Sequence, residues 1–67
     1  MRGIEAQKQV RRGAIIKTEN GCFYRREPGT VGGFPAWVRI EIRNGNPRAI
    51  GRKTGLVAEC QFKMVTA

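Results

Sequence analysis

Arginine carries most of the chemistry this sequence offers. Arg39 and Arg43 fall at alternating positions of the segment AWVRIEIR, in step with Trp37. In an extended chain these three side chains leave the backbone on one side. A guanidinium holds phosphate through a planar fork and also stacks on bases, and an indole adds a second stacking surface. Arg48, Arg52 and Lys53 follow closely. If residues 36–43 and 48–52 pair as strands, the two groups merge into one cationic face. Arg25 with Arg26 makes a further pair, as does Arg11 with Arg12. The nucleic-acid-binding set expected from the sequence is Trp37, Arg39, Arg43, Arg48, Arg52, Lys53, Arg25 and Arg26. Glu41 lies between Arg39 and Arg43, where an ion pair across the strands is expected.

The other chemistries are poorly supplied. The chain has no His, no Ser and no Asp. Its five carboxylates, Glu5, Glu19, Glu27, Glu41 and Glu59, are spread singly, so no acid–base pair is prepared. Cys22 and Cys60 have no His to activate them and are too few to build a metal site alone. They are expected to be reduced, buried small apolar residues. The expectation is a binding protein rather than an enzyme, without catalytic residues, metal or cofactor.

Thirteen basic residues against five acidic ones give a net charge of +8 on 67 residues. Arg outnumbers Lys nine to four. So much like charge on a small surface costs self-repulsion that solubility alone does not require. A polyanion is the expected partner, DNA or RNA. The alternative is a protein-binding inhibitor or adaptor docking on an acidic surface of a larger partner. An open Trp37 in a basic groove would favour the nucleic acid. An apolar patch through Phe34, Pro35 and Trp37 would favour the protein. Residues 1–12 have no apolar core of a secretory signal, and no stretch approaches the roughly 18 apolar residues of a membrane span. A cytoplasmic protein without a membrane partner is expected, and an exposed hairpin edge leaves room for a homodimer.

These side chains need elements to hold them. Residues 4–12, IEAQKQVRR, are rich in helix formers and end at Gly13, so residues 1–13 read as a short helix or a basic arm. From Ala14 the period becomes two. AIIKTE and CFYRRE flank Asn20-Gly21, a hairpin signal. A two-residue turn there would pair Thr18 with Phe23, Lys17 with Tyr24 and Ile16 with Arg25. It would put Ile16, Thr18 and Phe23 on one face, with Ile15, Lys17, Cys22 and Tyr24 on the other. Residues 28–35, PGTVGGFP, read as a loop. AWVRIEIR is the clearest strand, with Val38, Ile40 and Ile42 inward. Asn44-Gly45 begins a second turn, and a loop of residues 44–46 would pair Ile40 with Ile50. Pro47 is expected to interrupt pairing. A basic turn over 51–55 leads to a last strand, LVAECQFKMVT.

The expected fold is mainly β: a five-stranded antiparallel small barrel or bent sheet over residues 14–67, behind a short helix. The expected core is Ile16, Phe23, Val38, Ile40, Ile42, Ile50, Ala58, Cys60, Phe62 and Met64. This layout of a helix followed by five strands resembles the SH3-like and Sm-like small barrels. The resemblance is one of layout and carries no signature residues. The small size, basicity and lack of catalytic groups are similar to those of phage and mobile-element accessory proteins, which implies that kind of origin.

Overall fold

The computed structural model describes residues 1–66. Helix α1 (Ile4–Gln9) precedes strands β1 (Ile15–Thr18), β2 (Phe23–Val31), β3 (Phe34–Arg43), β4 (Asn46–Gly55) and β5 (Phe62–Met64). The strands form one antiparallel sheet in the order β4-β3-β2-β1-β5. The sheet does not close into a barrel, because β4 and β5 are its two edges. The mainly β fold and the short helix match the sequence reading. The details depart from it at every turn.

The β1–β2 hairpin has a longer loop than expected. Gly21 N–H donates to the Thr18 carbonyl at 2.9 Å, and Thr18 N–H to Cys22 at 2.8 Å. Gly21 takes φ 90, whereas Asn20 does not enter the positive region. This is a type I turn followed by a left-handed glycine, not a turn with both residues left-handed. The Thr18 hydroxyl secures it by bonding the Asn20 side chain and the Cys22 carbonyl. Every pair therefore moves by one: Ile15 lies opposite Arg25, Ile16 opposite Tyr24 and Lys17 opposite Phe23. A one-residue slip exchanges faces. Ile16 now shares a face with Tyr24, and Ile15 shares the other with Phe23.

Residues 28–35 are not a loop. β2 runs on to Val31, which pairs with Phe34 across Gly32-Gly33. An irregular stretch between Arg26 and Thr30 absorbs extra residues around Pro28 and Gly29. The third hairpin is tighter than expected. Asn44 at φ 51 and Gly45 at φ 79 are both left-handed, so the turn has two residues and Arg43 pairs with Asn46. Ile40 then lies opposite Ala49 rather than Ile50. Pro47 sits opposite Ile42 inside β4, tolerated because β4 is an edge strand and its second pair from the turn needs no N–H donor.

Two apolar clusters lie on opposite faces of the sheet. The first gathers Val10, Ala14, Ile16, Trp37 and Phe62, with Ala6, Tyr24 and Leu56 against it. The second joins Ile15, Val38 and Ile40, with Phe23. Six residues are too few for a helix stable by itself. Tertiary bonds fix α1 instead. The fully buried Gln7 accepts from Trp37 Nε1 at 3.1 Å and donates to the Val57 carbonyl at 3.1 Å. The helix stops at Gln9 rather than Arg12, because Val10 is extended and turns into the core. The expected last strand is likewise short. Leu56–Gln61 is a connection that carries the chain from one sheet edge to the other, and only Phe62 of its inward set is buried. Phe62 N–H donates to the Met1 carbonyl at 2.7 Å, and Arg2 bridges Gln61, which covers part of the β5 edge. Of the expected core, Ile42, Ile50 and Met64 are exposed, and Phe23, Ala58 and Cys60 are half-buried.

Candidate nucleic-acid interface

β3 changes environment along its length. Pro35, Ala36, Trp37 and Val38 are buried, as is Ile40, but Ile42 and Arg43 face solvent. Phe23, the first residue of β2, pairs with Ile40. Beyond that pair β3 has one neighbour, β4, and residues 41–48 form a two-stranded ribbon. All ten residues of β4 except Gly55 are exposed. The molecule is elongated, 32 × 21 × 20 Å.

This hairpin carries Arg39, Arg43, Arg48, Arg52 and Lys53, all exposed, and one acid, Glu41. Parity puts Arg39, Glu41 and Arg43 on one face, and Arg48 joins them opposite Glu41. Glu41 pairs with Arg43 at 3.0 Å, two residues along the same strand, rather than across the strands. Arg39, Arg48, Arg52 and Lys53 have no carboxylate partner among the described residues. The register of β3 with β4 shifts between Val38 and Ile40, so Arg52 lies in the irregular stretch opposite Arg39. Lys53 lies opposite Val38 and projects from the other face. The five cations therefore flank both faces of one hairpin and do not form the single face expected.

Three members of the expected set are corrected. Trp37 shares strand parity with Arg39, but its ring is fully buried. Ile16, Val10 and Phe62 surround it, and Gln7 takes its N–H, so it offers no stacking surface. Parity assigns a face, and α1 covers only the Trp37 end of that face. Arg26 lies over the Trp37 ring at 5.7 Å and donates to the Ala36 carbonyl at 3.0 Å and to the Glu27 carbonyl. Its desolvation lowers the guanidinium pKa, and its Nε is buried without a partner. Arg26 is a structural bracket between β2 and β3. Arg25 is half-buried and paired with Glu27 at 2.9 Å.

The apolar side of the ribbon was missed by the sequence reading. Ile42 is 41% exposed, and its cross-strand partner Pro47 and neighbouring Ala49 are exposed too. The same period-two pattern that marks a core strand placed them inward. The asparagines flanking the tip, Asn44 and Asn46, are exposed as well.

Elsewhere the chemistry is sparse. Cys22 and Cys60 are free, half-buried thiols. Burial, and secondarily the charge of Glu19, push the Cys60 thiol up, which weakens it as a nucleophile. Among the described residues no three metal-ligating side chains come together, and no helix is long and apolar enough to cross a membrane. Phe34, at the far end of β3 from Arg43, is 43% exposed and lines a shallow groove with Val31, Leu56 and Val57. No protein-family model matches the chain, and neither a curated protein nor a solved structure matches it.

Proposed function

We propose that this protein is a nucleic-acid-binding module that holds phosphates through the exposed cations of the β3–β4 hairpin. One observation carries the reading: Arg39, Arg48, Arg52 and Lys53 stand exposed on one hairpin, without acidic partners among the described residues. Concentrating like charge there is unfavourable for the free protein, and a polyanion relieves it. Each phosphate neutralised on a duplex releases counterions and contributes a slope of about −0.9 to log K against log salt. Four such contacts give a slope of about −3.6. The test is a salt titration of binding to a labelled oligonucleotide. Arg39→Ala with Arg48→Ala should flatten the slope by about 1.8 and leave the fold intact, because both side chains are exposed. A double variant that binds with the parent's slope refutes the reading.

A second reading, docking on an acidic protein, is favoured by the apolar groove at Phe34 and Val57, the latter 69% exposed. It predicts capture of a protein that survives nuclease treatment and is lost on Phe34→Ser. The expected apolar patch through Pro35 and Trp37 does not support it, because both side chains are buried.

A further inference from the structure

We infer, building on the nucleic-acid reading, that the free end of the β3–β4 ribbon enters the major groove of B-form DNA. Three features point there. The first is shape. Past the Phe23–Ile40 pair the ribbon is two strands wide, and from Ile40 to Arg43 it advances by roughly 10 Å at about 3.3 Å per residue, with the two-residue turn beyond. A strand pair with its side chains is about 10 Å thick. The major groove is about 12 Å wide and 8.5 Å deep, whereas the minor groove is only about 6 Å wide. The ribbon fits the first and reaches its floor.

The second feature is the sorting of residue types along the ribbon. Arg39, Arg52 and Lys53 stand at its base and flank both faces. A ribbon entering a groove by its free end has a phosphate wall on either side of its base, so cations on both faces there match a duplex. The outer end carries Arg43, Asn44 and Asn46, with Ile42 and Pro47 on the other face. Arginine reads the O6 and N7 of guanine, asparagine reads the N6 and N7 of adenine, and apolar groups meet the thymine methyl. Base contacts specify and phosphate contacts position. The ribbon separates the two kinds in that order from tip to base.

The third feature is the absence of a stacking platform. Residues 41–48 contain no aromatic side chain, and Trp37 is buried. Sequence-tolerant single-strand binders stack bases on aromatics, which this surface does not offer. Duplex RNA is disfavoured too, because its major groove is too narrow and deep for side chains to read.

The experiment compares a mixed-sequence DNA duplex, its single strand and the matching RNA duplex by anisotropy, then maps the DNA complex with dimethyl sulfate. That reagent methylates guanine N7 in the major groove and adenine N3 in the minor groove. The expected result is binding to duplex DNA at least tenfold tighter than to either competitor, with guanine N7 protected and adenine N3 open. Asn44→Gly with Asn46→Ala keeps the left-handed turn while removing both amides. It should weaken duplex binding at least fivefold without changing the salt slope. Equal or tighter single-strand binding, or protection of adenine N3 alone, overturns the groove assignment and leaves the phosphate reading standing. Failure to bind any nucleic acid overturns both.

Discussion

Gln7 and Trp37 form the joint on which the fold turns, and breaking it should be costly. Trp37 donates its N–H to Gln7, both residues are fully buried, and Gln7 also donates to Val57. Gln7→Met removes the acceptor and keeps the volume. It strands the Trp37 N–H, at a cost of about 1–3 kcal/mol for an unsatisfied buried donor. Trp37→Phe removes the donor, strands the Gln7 oxygen and opens a cavity, for a cost of about 2–4 kcal/mol. The double variant leaves neither group stranded, so its loss should fall short of the sum by about 1–2 kcal/mol. A domain of this size has a total stability of about 3–10 kcal/mol, so each change is large against the whole. Urea unfolding followed by circular dichroism measures all three. Additivity within about 0.3 kcal/mol would refute the joint, because coupling is required if the bond exists. The same variants should bind nucleic acid with the parent's salt slope while they remain folded, since Trp37 does not reach the cationic surface.

Four further outcomes are expected. Ile40→Ala should cost about 2–5 kcal/mol by urea unfolding, since Ile40 is 2% exposed, whereas the exposed Ile42→Ala should cost under about 1 kcal/mol. Glu41→Gln releases Arg43 from its ion pair and removes the one negative charge of the hairpin, so duplex binding measured by anisotropy should tighten. Cys60 should be alkylated by iodoacetamide more slowly than a free thiol at pH 8, because its pKa is raised. A raised acid pKa means the folded state holds the proton more tightly. Cys60's contribution to stability is therefore full below the unfolded thiol's value, about 8.5, and falls as pH rises through the folded one. Denaturation of Cys60→Ala between pH 7 and 10 should show a flatter decline than the parent.

The strands are legible because their signals are local. Alternation in AWVRIEIR follows from backbone geometry alone, and Asn44-Gly45 marks a turn because both residues accept positive φ. The turn types are less so. Asn20-Gly21 and Asn44-Gly45 are the same dipeptide, yet the first makes a longer loop. The Thr18 hydroxyl and Asn20 side chain stabilise that alternative, and one residue of slip moves Phe23 to the other face. Gly32-Gly33 carries a hairpin signal too, masked by the prolines and glycines around it.

The sequence by itself determined the charge, the missing catalytic residue types, the mainly β class and the hairpin bearing Arg39, Arg43, Arg48, Arg52 and Lys53. Only the tertiary structure decided which part of each strand face is covered. Trp37 and Arg39 share parity, as do Ile40 and Ile42. Trp37 is buried because α1 and Phe62 pack over it, whereas Arg39 lies outside that cluster and is open. Ile40 is covered beside β2, and Ile42 is exposed because β2 has already ended. Periodicity reports the direction of a side chain from its own backbone. Burial depends on the reach of neighbours that are distant in sequence, and that information enters only when the chain packs.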